Sequence, residues 1–102
     1  MENCAKYICQ FERDPMYISV QAWYIYHKTP EYQFIFTKNG CNLADITSLP
    51  NWSDKMMVIA DNETYEHGKT AFNELTLFGN SVVEKEYVCE SNLKVYILKK
   101  TE

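Results

Sequence analysis

The run MMVIA at residues 56–60 is the feature that most restricts what this chain can fold into. Five apolar residues in succession show neither the alternation of a half-exposed strand nor the length of an amphipathic helix, so they read as a central strand. A central strand needs neighbours on both edges, and the rest of the chain offers them. Residues 5–12 (AKYICQFE) alternate, with Tyr7, Cys9 and Phe11 on one face. Arg13-Asp14-Pro15 is a turn, because proline fixes φ and lacks a ladder donor.

Residues 16–27 then predict a longer strand. Met16, Ile18, Val20, Ala22, Tyr24 and Tyr26 form its core face, and Tyr17, Ser19, Gln21, Trp23, Ile25 and His27 form a mixed polar and aromatic face. YQFIFT (32–37) is a further strand, ended by the turn signal Asn39-Gly40. Leu43, Ala44, Ile46 and Thr47 fit a short helix that stops before Pro50. Residues 69–78 predict a helix with the stripe Ala71, Phe72, Leu75 and Phe78, and Gly79 suits its C′ position.

SVVEKEYVCE and LKVYILKK, on either side of Ser91-Asn92, read as a closing hairpin. The expectation is one α+β domain over residues 1–102. Its mostly antiparallel sheet has five to six strands in the order βββαβαββ, packed with one or two short helices. KYICQ (6–10) and EYVCE (86–90) echo each other, which fits either two related halves or convergent strand patterning.

Charge narrows the function. With 14 Asp and Glu against 10 Lys and Arg, the net charge is −4, and Arg13 is the one arginine. Direct nucleic-acid binding needs a basic face that displaces counterions, so that class is disfavoured and a protein partner with a basic surface is preferred. No apolar run is long enough to span a membrane. With no secretory leader in view, the expected location is cytoplasmic, the host cytoplasm if the protein is viral. Cys4, Cys9, Cys41 and Cys89 are then reduced core thiols, although a Cys9–Cys89 disulfide is an alternative. In that setting the sequons Asn51-Trp52-Ser53 and Asn62-Glu63-Thr64 are chance matches.

Gly68-Lys69-Thr70 resembles the end of a phosphate-binding loop, but that loop requires glycine at position 63, which is Glu63. Asp61, Glu63 and Glu66 also put carboxylates where backbone amides should cradle an anion. A metal site is not expected, since Cys4 and Cys9 sit at the wide limit of zinc-ligand spacing and Cys41 and Cys89 stand apart. No serine or cysteine lies in a nucleophile elbow, and Glu66-His67 are neighbours in sequence alone. Glu84 and Glu86 fall on one face of a strand, about 6 to 7 Å apart by strand rise, a pair that more often forms a solvated face than an acid–base site. The expectation is a non-enzymatic protein without a cofactor or metal.

What remains is surface character. The mixed face of residues 16–27 is either core beneath helix 69–78 or a binding face. In the second case Tyr17, Trp23 and His27, with the carboxylates Glu84 and Glu86, form the candidate partner-binding set, since Tyr and Trp bury rigid area while keeping a polar handle. An acidic, aromatic-rich chain without catalytic motifs resembles in style the small inhibitors encoded by viruses and mobile elements, anti-defence and anti-CRISPR proteins among them, with no motif that assigns a family. The function expected is an interaction protein that occludes a host protein, one in defence or nucleic-acid processing. The alternatives are a peptide-binding or homodimeric adaptor that uses a sheet edge or groove and, third, a small ligand-binding protein or enzyme.

Overall fold

The computed structural model describes residues 2–21, 29–61, 77–90 and 93–101. Its elements are α1 (Glu2–Ile8), β1 (Pro15–Gln21), α2 (Thr29–Lys38), β2 (Asn42–Ala44), β3 (Lys55–Asp61), β4 (Ser81–Glu90) and β5 (Leu93–Lys100). The five strands form one sheet in the order β2-β1-β3-β5-β4. β1 pairs in parallel with both β2 and β3, while the longer ladders β3–β5 and β5–β4 are antiparallel. The class is α+β, a single domain whose ladder is mostly antiparallel.

β3 lies at the middle of the sheet, where its apolar run requires it to be. Met56 to Ala60 are all fully buried, and alternate residues feed different cores. Met57 and Ile59 join Ala5, Ile8, Met16, Ile18, Phe36, Val95 and Ile97 under the two helices. Met56, Val58 and Ala60 join Tyr17, Ile46, Phe78 and Leu98 on the opposite face. Both faces of the sheet centre are therefore covered, as a continuous apolar strand demands.

Three elements differ from the sequence expectation. The sequence predicts a strand over residues 5–12, but Glu2–Ile8 is helical, because Ala5, Ile8 and Cys9 make an i, i+3, i+4 stripe that faces the sheet. Residues 32–37 belong to α2 for the same reason, with Tyr32, Ile35 and Phe36 inward and Phe34 exposed. Pro30 sits in the first turn of α2, where a missing amide costs nothing, and Glu31 and Lys38 lie at the ends that suit their charges. Asn39-Gly40 turns the chain, but as a helix cap. The amide of Cys41 donates to Phe36 O at 3.1 Å and that of Gly40 to Thr37 O at 3.1 Å, a Schellman pattern with Gly40 at φ +110°. The short helix expected at 43–47 is instead β2 followed by a turn in which Asp45 accepts from the Thr47 amide at 2.9 Å.

The closing hairpin forms as expected. Of the helix expected at 69–78, only Leu77 and Phe78 are described; both are helical, Phe78 is buried, and Gly79 has φ +92°. Residues 69–76 lie outside the described residues, as does Gly68-Lys69-Thr70. The echo between residues 6–10 and 86–90 does not mark equivalent halves, since the first begins in α1 and the second lies in β4.

All four cysteines are paired, Cys4 with Cys89 and Cys9 with Cys41. This corrects both the reduced-thiol expectation and the Cys9–Cys89 alternative. Making residues 2–8 a helix separates Cys4 from Cys9 by more than one turn, so each bridge staples a different end of α1.

Candidate protein-interaction site

β4 is an edge strand, and its residues Lys85, Tyr87 and Cys89 face α1. Cys89 bonds Cys4 in α1, and Tyr87 and Lys85 reach Glu12 just beyond it. Glu12 is 3% exposed, yet its carboxylate is answered twice. The Tyr87 hydroxyl donates to it at 2.6 Å and the Lys85 ammonium at 3.0 Å. Burial, followed by the bond to Glu12, pushes the Tyr87 phenol well above its usual value.

These tethers hold three rings at the surface. Past the end of α1 the chain continues in a turn, with the Phe11 amide donating to Ile8 O at 3.0 Å. Phe11 therefore stands one turn after Tyr7 on the same side. Their rings meet edge-on at 5.3 Å, and Tyr7 meets Tyr87 edge-on at 6.2 Å. Tyr7 is 56% and Phe11 55% exposed, although each has an aromatic neighbour. Together with Lys85, Glu86 and Tyr87 they border a shallow depression of about 330 Å³.

Of the sequence-derived set, the described members Tyr17, Glu84 and Glu86 are not brought together. Tyr17 is not on an open face but 1% exposed in the second core. Its ring packs on Trp52 at 5.7 Å and Phe78 at 6.2 Å, and its hydroxyl donates to Leu49 O and accepts from the Trp52 amide at 2.7 Å. Trp23 and His27 lie outside the described residues.

Glu84 and Glu86 are exposed but do not share a face. The register of β4 shifts between Val83 and Lys85, a bulge at Glu84. Glu84 turns to the helical side and pairs with Lys55 at 3.5 Å, whereas Glu86 lies opposite Tyr96 and pairs with Lys94 at 2.9 Å on the other side. Lys55 is held charged above its usual range by Asp14 first, and Lys94 by Glu86.

Among the described residues no three His, Cys, Asp or Glu gather as metal ligands, and the disulfides leave no thiolate to offer. The patch that the structure assembles was visible in fragments. Tyr7-x-x-x-Phe11 is a helical pair and Lys85-x-Tyr87-x-Cys89 a strand face, but reading residues 5–12 as a strand hid their meeting. No family model matches the chain, nor does any curated protein or solved structure.

Proposed function

We propose that the chain is a non-enzymatic protein-interaction domain that occludes a partner's surface with the Tyr7, Phe11 and Tyr87 patch. One observation carries the reading. Two aromatic side chains are more than half exposed, yet each is held by ring contacts, Tyr7 on α1 and Phe11 in the turn after it, in a segment that one disulfide ties to β4 and the other to the loop between α2 and β2. Exposed rings in fixed positions lose little conformational entropy on binding, which is what makes such residues effective anchors. The net charge of −4 favours a partner with a basic surface around an apolar slot and speeds encounter with it.

The adaptor reading, in which β4 takes up an extended strand, is less favoured. The bulge at Glu84 and the exposed charges of Glu84, Lys85 and Glu86 interrupt the free edge. The disulfides also bear on location. Paired cysteines persist in secreted and periplasmic settings and in the cytosol of hyperthermophiles, so an ordinary reducing cytoplasm loses its support. We place the protein and its target in an oxidising setting; no described helix is long and apolar enough to cross a membrane.

The test is photo-crosslinking from benzoylphenylalanine at position 11, with position 42 on the far sheet edge as control. In extracts of cells that carry or encounter the protein, position 11 forms a discrete adduct and position 42 does not. Unlabelled wild type abolishes the adduct. A folded Tyr7→Ala/Phe11→Ala variant competes at least about 30-fold less well, as loss of a hot spot of about 2 kcal/mol implies. Equal competition by that variant removes the patch from the account.

A further inference from the structure

A second site lies on the opposite sheet face, away from the aromatic patch. The segment from Asp45 to Asp54 crosses the sheet and leaves a pocket of about 340 Å³ between itself and Phe78. Tyr17, Ile46 and Phe78 form its apolar floor, with Pro50, Leu77 and Thr47 at its lip. The crossing segment is held open by specific bonds. The Tyr17 hydroxyl bridges Leu49 O and the Trp52 amide, Asn51 takes a left-handed φ of +60°, and Ser53 Oγ donates to Pro15 O at 2.5 Å.

Lys100 stands at the mouth of this pocket. Its stem passes Gly79, where an added Cβ would lie 3.8 Å from Lys100 Cε. Its ammonium lies 5.8 Å from the centre of the Phe78 ring. Lys38, Lys55, Lys85 and Lys94 each pair with a carboxylate, but among the described residues none pairs with Lys100. The same lysine borders a neighbouring polar groove of about 520 Å³ lined by Asp14, Trp52, Asp54 and Lys55. A cation that pairs with none of the described carboxylates, packed on an aromatic ring at the rim of an apolar pocket, is complementary to a group that is negative at one end and apolar at the other.

We propose that this pocket binds a small amphipathic carboxylate, its alkyl or aryl body on Tyr17, Ile46 and Phe78 and its carboxylate on Lys100. The pocket size suits a medium-chain or single-aryl acid, since ligand pockets of this kind begin at about 300 Å³. The preformed rim means that binding orders little of the protein.

The experiment uses anilinonaphthalene sulfonate as fluorescent probe, with octanoate and octanol as competitors, on the intact disulfide-bonded chain. The probe binds saturably and octanoate displaces it. Lys100→Gln weakens octanoate about fivefold or more, the size of a part-exposed charge-assisted contact, and changes octanol less than twofold. Thr47→Phe, a substitution at the exposed lip, fills the pocket and abolishes displacement by both competitors while the melting temperature holds or rises. The proposal is overturned if probe binding does not saturate, if Lys100→Gln weakens octanoate and octanol equally or neither, or if Thr47→Phe leaves binding intact. None of these outcomes touches the Tyr7 and Phe11 patch, so the two proposals fail separately.

Discussion

The hydroxyl of Tyr17 joins two loop groups that would otherwise face a buried ring unpaired, the carbonyl of Leu49 and the amide of Trp52. Tyr17→Phe keeps the ring and removes both bonds. Chemical denaturation should show a loss of about 1 to 2 kcal/mol, with an unchanged denaturant slope if the fold persists. A neutral result would mean that water replaces the hydroxyl. Tyr87 gives a prediction about pH. Its folded-state pKa is raised above the usual 10.0, so the folded protein holds the phenolic proton more tightly than the unfolded chain. The stability gained is full below about pH 10 and fades as pH rises toward the folded value. Lys55 and Lys94, also raised, act with the same sign. Tyr87→Phe should therefore melt lower than wild type at pH 8, with the gap closing in melts run above pH 10. A constant gap would show that the Glu12 bond has no part in it.

Among the elements, β3, β4 and β5 were legible because sheet position wrote itself into their pattern, a continuous apolar run at the centre and alternation in the hairpin. The helices were harder to read. Across residues 5–12, Tyr7, Cys9 and Phe11 alternate, but the stripe that decided the structure was Ala5, Ile8 and Cys9, made of smaller side chains. In α2 the exposed Phe34 completed an aromatic run that looks like a strand, while the proline at the start and the glycine at the end marked a helix. β2 is three residues long, too short for any period to show.

The candidate site needed α1 to be a helix, and so was legible only as unconnected pairs. Glu84 and Glu86 were misplaced by a bulge that no residue pattern announced. Gly40 offers a test of the helix cap. A side chain there meets a φ of +110° and lies 3.3 Å from Arg13 Nη1. Gly40→Ala should destabilise by about 1 kcal/mol or more, whereas alanine at an ordinary loop glycine stabilises slightly. A thermal melt that rises would contradict the Schellman assignment.

For the whole molecule, the question is what keeps a seven-residue helix fixed on a sheet edge. A helix so short does not persist in water by propensity. Ala5, Ile8 and Cys9 bury its inner face, Glu2 pairs with Lys38 at 3.1 Å and accepts from Asn39 at 2.7 Å, and the disulfides close the rest. Bridges over separations of 85 and 32 residues are each worth about 2 to 4 kcal/mol through the unfolded chain. The aromatic patch stands on this stapled helix, so its rigidity depends on those two bonds. Each cysteine lies on its own tryptic peptide, residues 1–6, 7–13, 39–55 and 86–94. The most direct measurement is mass spectrometry of a tryptic digest of protein produced under oxidising conditions and kept free of reductant. The account predicts that 1–6 is linked to 86–94, that 7–13 is linked to 39–55, and that no free thiol remains. Free thiols, or a 7–13 peptide linked to 86–94, would mean that α1 is not stapled in this way and that the patch is not the fixed surface described.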